Sequence, residues 1–89
     1  MGFSEVMRAL ADATRRNILG LLKEKPMSAT EIVAHFSISA PAISKHLSIL
    51  KEAGLVRCRR ESKFMVYELS ASVLEEVILW LQDMKEESK

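Results

Sequence analysis

The 89-residue sequence has a single cysteine, Cys58, so an intrachain disulfide is excluded, as is any metal site built from two thiolates of one chain. No apolar run approaches the ~18 residues that a membrane span requires. The N-terminus lacks the basic and then apolar layout of a secretory signal. These absences predict a cytoplasmic protein with no membrane insertion of its own. There is no Ser/His/Asp set, no pair of carboxylates at a recognisable pocket and no glycine-rich phosphate loop, so nothing suggests an enzyme. Repeats and low-complexity stretches are absent, and the net charge is only +1.

What is present is unevenly placed. From Pro41 to Lys63 six basic residues (Lys45, Lys51, Arg57, Arg59, Arg60, Lys63) face two acidic ones (Glu52, Glu61), whereas from Ser70 to Lys89 five acids outweigh two lysines. A basic centre and an acidic tail give one face for a polyanion and another for something else. The length allows one domain, which buries only roughly two-thirds of its unfolded-chain surface. Hydrophobic residues make up 48% of the sequence, and several fall near the termini, where one small core has difficulty covering them. A partner subunit is the simplest cover.

Hydrophobic periodicity organises the single domain, residues 1–89. Phe3, Val6, Met7 and Leu10 predict a first helix over 3–11. Asp12 can cap a second, whose stripe of Ile18, Leu19, Leu21 and Leu22 runs to about Lys23. Lys25-Pro26 breaks the pattern. Ser28 and Glu31 have capping-box spacing, opening a third helix that is expected to stop at Ser37 or Ile38. Phe36 to Ser39 would then be a tight connection. Ser39 as N-cap and Pro41 in the first turn start a fourth helix at Ala40 that runs to about Ala53, with Gly54 as its stop. Leu55 to Arg60 and Phe64 to Leu69 read as a hairpin turning at Glu61-Ser62-Lys63. Ser70 or Ser72 can cap a last helix over 71–86, whose broad stripe comprises Val73, Leu74, Val77, Ile78, Leu81 and Met84, with Trp80 beside it.

The fold class is therefore mainly α with a β-hairpin wing, in the order α-α-α-α-β-β-α, with a helix-turn-helix at about 28–53 and the wing at about 55–69. On the fourth helix Ile43, Leu47 and Leu50 point to the core, leaving Pro41, Ala42, Ser44, Lys45 and Ser48 outward. Small polar residues allow close approach to base edges of double-stranded DNA, Ser39 at the start of the helix is a further candidate for DNA contact, and Lys45 can reach guanine acceptors or phosphate. In the wing, Arg59, Arg60 and Lys63 are suited to phosphate or minor-groove contact. Each signal has a plainer reading. His46 either contacts DNA or packs near Leu47 and Leu50. Arg15 and Arg16 either touch phosphate or make an ion pair or cap contact beside Asp12. Cys58 reads as a small hydrophobe on the inward strand face sooner than as a reactive thiol. His35 reads as a solvated helix residue, and Tyr67 as a packing residue.

The segments ALADATRRNILGLLKE and MSATEIVAHFSISAPAISKHLSILKEAGLVRCRRESKFMVYELS resemble the ArsR-type, arsenic-repressor-like family of winged-helix transcriptional regulators over about two-thirds of the chain. The likeness runs from Asp12, Thr14, Arg15 and Arg16 through Ser44-Lys45-His46-Leu47 to Gly54-Leu55-Val56. Ala13 stands where the family usually has proline, and Ser62 where glycine is common. The resemblance implies a repressor that binds a pseudo-palindromic operator as a homodimer built from the first and last helices. This places Phe3, Val6, Met7, Leu10, Val73, Leu74, Val77, Ile78, Leu81 and Met84 at the dimer interface. Family metal sites use cysteines on the third helix or Asp and His pairs on the last. This sequence has neither set, so no metal or other cofactor is expected. It is similar in this to short autorepressors, which are released by a protein or small-molecule effector or by dose. The alternatives are a winged-helix protein-interaction module and a repressor with an unrecognised thiol or metal sensor.

Overall fold

Side chains at the expected offsets build the helix starts. In the computed structural model, which describes residues 2–87, Asp12 has an extended backbone and its Oδ2 accepts a hydrogen bond from Arg15 N at 3.0 Å. This separates α1 (Phe3–Leu10) from α2 (Ala13–Glu24). Residues 1, 88 and 89 of the expected domain lie outside the described residues. Ser28 Oγ accepts from Glu31 N at 3.2 Å while Glu31 Oε1 accepts from Ser28 N at 2.9 Å, a complete capping box for α3 (Ala29–Val33). Ser39 Oγ accepts from Ala42 N at 3.3 Å and starts α4 (Ala40–Glu52), with Pro41 in the first turn. The far end of α4 closes in a Schellman motif: Leu55 N donates to Leu50 O, Gly54 N donates to Lys51 O, and Gly54 has φ 79°.

The third helix is shorter than its periodicity implied. It stops at Val33: Ala34 N still donates to Thr30 O, but His35 and Phe36 tighten onto carbonyls nearer in sequence, His35 N donating to Ile32 O and Phe36 N to Val33 O. Phe36 still turns inward and packs on the core. The connection to α4 therefore runs from Ala34 to Ser39, longer than the expected four residues.

The hairpin joins β2 (Val56–Glu61) to β3 (Phe64–Leu69), and a two-residue strand, β1 (Met27–Ser28), adds to the other edge of β3. The antiparallel order β1-β3-β2 sets Met27 opposite Tyr67, Cys58 opposite Tyr67 and Arg57 opposite Glu68. β1 is an addition to the expected element order. Glu61, expected in the turn, ends β2 opposite Phe64, so the turn is Ser62-Lys63 alone. Ser62 has φ 58°, at the first position of a two-residue turn, where a left-handed backbone favours glycine.

The core lies between α2, α4 and the sheet. Ile18, Ile32, Ile43, Leu47, Leu50 and Leu55 are fully buried there. Ser70 N donates to Leu55 O at 2.9 Å, closing the base of the wing, and α5 (Ala71–Glu87) follows at once. Among the described residues only its first two turns hold buried ones, Val73 and Val77. At 1.5 Å per residue a 17-residue helix is about 26 Å long, so α5 extends well past the core, and the longest dimension of the molecule is 50 Å.

Candidate nucleic-acid interface

Burying Ile43, Leu47 and Leu50 leaves the opposite side of α4 in solvent. Pro41, Ser44, Lys45 and Ser48 are exposed, and Ala42 is half-buried. Ser39 is exposed as well, but its hydroxyl is occupied as the helix cap. Lys45 makes no ion pair among the described residues. This face is small, polar and cationic at its centre, and the helix N-terminus adds positive partial charge.

His46 belongs to a different arrangement. Its ring is half-buried, with Nδ1 3.2 Å from Arg15 Nη1 and 3.9 Å from Asp12 Oδ2. The rest of the Arg15 guanidinium turns to the last carbonyls of α1: Nε donates to Ala9 O at 2.8 Å and Nη2 to Arg8 O at 3.1 Å. Arg16 Nη1 donates to Leu10 O at 2.8 Å. Two cations thus cap the negative end of the α1 dipole. Of the readings open for these arginines, the structure places both at a helix cap. Asp12 is held below the usual carboxylate range, chiefly by the hydrogen bond from Arg15 N, and Glu31 likewise by Ser28 N.

The wing is less basic than its strand suggests. Glu68, across the ladder from Arg57, has one carboxylate oxygen 3.6 Å from Arg57 Nη2 and the other 3.6 Å from Arg59 Nε. Arg59 also binds Glu61, whose carboxylate raises the arginine's already high pKa further. Arg60 and Lys63 are exposed and make no ion pair among the described residues. On the opposite strand face Cys58 is half-buried against Tyr67, whose phenol is pushed up by burial and by the neighbouring thiol.

At the other end of the molecule, α1 and α5 meet through Phe3 and Trp80, whose ring centroids are 5.1 Å apart. The ten residues expected at the interface divide into two groups. Val6, Val73 and Val77 are buried within the protomer, and Leu10 and Leu74 are partly buried against its core. Phe3, Met7, Ile78, Leu81 and Met84 are exposed, together with Trp80. Trp80, Leu81 and Met84 continue the stripe of Val73 and Val77 past the point where the protomer can cover it. Leu79, the most exposed of these at 64%, is on the far side of α5 among acidic residues. Among the described residues no group of three or more His, Cys, Asp or Glu side chains is placed to hold a metal ion. No helix among them is long and apolar enough to cross a membrane.

The family model for bacterial regulatory proteins of the arsR family matches residues 12–57. That span covers α2, α3, α4 and the start of the wing. The chain belongs to this family. The transcriptional repressor SdpR of Bacillus subtilis is 45% identical over 78 residues, which is 88% of this chain and 87% of that protein. Among solved structures, an ArsR-like transcriptional regulator from Rhodococcus sp. RHA1 superposes with a TM-score of 0.90 at 30% identity, covering 94% of this chain and 77% of the other. The homodimeric winged helix-turn-helix DNA-binding domain of a possible ArsR-family regulator from Mycobacterium bovis superposes at 0.76 with 27% identity, covering 96% of this chain and 79% of that one.

As an ArsR-family member the chain is a winged helix-turn-helix transcriptional regulator and not an enzyme. Three features of the site were missed in the sequence: the Arg15 hub, the pairing of Arg57 and Arg59 with Glu68, and the exposure of Leu79. The register alone could have revealed the second, since a two-residue turn at Ser62-Lys63 sets Arg57 opposite Glu68.

Proposed function

We propose that this protein is a homodimeric, sequence-specific DNA-binding repressor that acts on a pseudo-palindromic operator without a metal and regulates its own gene. The observation that carries the reading is the outward face of α4, where Ser44, Lys45 and Ser48 are exposed and Lys45 is free of any ion pair among the described residues. A helix with this face can enter the major groove and bring a cation to guanine acceptors, with Pro41 and Ala42 small enough to allow close approach. Arg60 and Lys63 supply phosphate contacts from the wing. Arg59 joins them only by exchanging Glu61 and Glu68 for phosphate.

The exposed ends of the α1 and α5 stripes support a two-fold dimer. Such a dimer repeats the α4 face, which predicts half-sites about 10 bp apart, centre to centre. The bare third and last helices support metal independence, and the likeness to a named repressor supports the sign of regulation. Release then falls to a protein, a small molecule or the dose of the repressor itself. The test is selection of bound duplexes from a random library with chelator present. An inverted repeat with that spacing is the expected result. Recovery of no common sequence would refute the reading and favour a protein-interaction module.

A further inference from the structure

We propose that His46 is a positioning residue of the recognition helix and not a reader of bases, and that Arg15 is the group that holds it. The inference rests on the DNA-binding reading above. A guanidinium has donors only, so in the contact between its Nη1 and His46 Nδ1, 3.2 Å apart, the arginine donates and Nδ1 accepts. Arg15 is itself immobilised, since Nε and Nη2 bind the carbonyls of Ala9 and Arg8. Its planar fork therefore presents Nη1 in a fixed direction.

The consequence for α4 is a fixed roll about its axis. Ile43, Leu47 and Leu50 seat the helix by apolar packing, which is strong but non-directional. The hydrogen bond to His46 is directional and acts one residue from Lys45 and two from Ser44. It ties the helix that would face DNA to the end of α1, the helix that carries the exposed Phe3 and Met7. One guanidinium thus joins the apolar surface of the proposed dimer to the groove-facing surface.

The two ring nitrogens can be tested separately. In Asn the side-chain oxygen lies near the place of Nδ1 and can still accept from Arg15; in Gln the amide reaches the place of Nε2 and leaves Arg15 without its partner. The experiment measures fluorescence anisotropy of His46→Asn and His46→Gln with the selected operator and with a random duplex, alongside melting temperatures. His46→Asn should stay within about threefold of wild type, and His46→Gln should lose about tenfold in operator affinity with random-duplex affinity unchanged, the size of one hydrogen bond to a charged group. The reverse ranking would make His46 a base reader and overturn the proposal. Equal loss in both, or loss in neither, overturns it too. If either variant melts out, Arg15→Lys replaces it: its ammonium cannot span Arg8, Ala9 and His46 together, so operator preference should fall about tenfold while random-duplex binding holds, and unchanged preference refutes the proposal. A wild-type protein that prefers no duplex would refute the DNA-binding reading itself, and this inference with it.

Discussion

Replacing Leu81 with glutamate should convert the protein to monomers. Leu81 is 52% exposed in the protomer, so covering it in a dimer completes about half of a leucine's burial, worth about 1 kcal/mol. Glutamate forfeits that and brings a carboxylate against Met84 and Trp80, which costs roughly 2 kcal/mol more even after partial hydration. Two-fold symmetry applies both penalties twice. The total is about 6 kcal/mol per dimer, or on the order of 10⁴ in the dimer dissociation constant. Leu81→Ala forfeits only the burial, about 2 kcal/mol per dimer, or roughly 30-fold. Sedimentation velocity over a concentration series measures both, with far-ultraviolet circular dichroism as the control for folding. If both variants dimerise as tightly as wild type, the exposed stripe of α5 has no role in assembly.

Lys45→Ala should weaken operator binding by 1–3 kcal/mol, about 5- to 150-fold, and relax the choice of base, whereas Arg60→Ala should weaken all duplexes alike and reduce the salt slope by about 1 per protomer; titrations on operator and random duplex separate the two. Glu68→Gln should release Arg57, while Arg59 stays paired with Glu61, and raise affinity for random DNA several-fold at low salt, which the same titration reads; unchanged affinity would show that the pairing does not restrain the wing. Ser62→Gly removes the left-handed strain at φ 58° but adds unfolded-chain entropy, for a net gain of about 0.5 kcal/mol, seen as a melting temperature 2–4 °C higher. Asp12 and Glu31 have folded-state pKa values below their ordinary ones. Their stabilisation is present above the ordinary carboxylate range and is lost as pH falls through the lowered values. Acid unfolding followed by circular dichroism should therefore be less steep in Asp12→Asn and Glu31→Gln, and identical profiles would refute the caps' part in it.

Much of the architecture was legible because its signals are local. Asp12, Ser28 and Ser39 each cap a helix within three residues of themselves, and Gly54 ends α4 by a backbone angle that side chains disfavour. What was hidden depends on distant partners. Met27-Ser28 carries no strand pattern, and its pairing is set by Val66 and Tyr67 nearly forty residues on. Phe36 falls at helical spacing from Ile32, so periodicity extended α3 through a segment that packs the same side chain from a tighter turn. Apolar periodicity also cannot distinguish a protomer's core from a subunit interface, since both exclude water. Hence Val6, Val73 and Val77 share the periodicity of Leu81 and Met84, although the first three are covered by their own chain. His46 kept two readings open because the group that holds it lies 31 residues away on another helix.

Metal-independent, sequence-specific binding to DNA is tested by fluorescence titration with the promoter of the protein's own gene and with a random duplex, at 50 and 200 mM salt and with chelator present. If Arg60 and Lys63 of two protomers each neutralise one phosphate, affinity should fall about 10²-fold between those concentrations, with the promoter preferred at both. Weak binding that is equal on the two duplexes and indifferent to salt would rule out operator recognition by this protein.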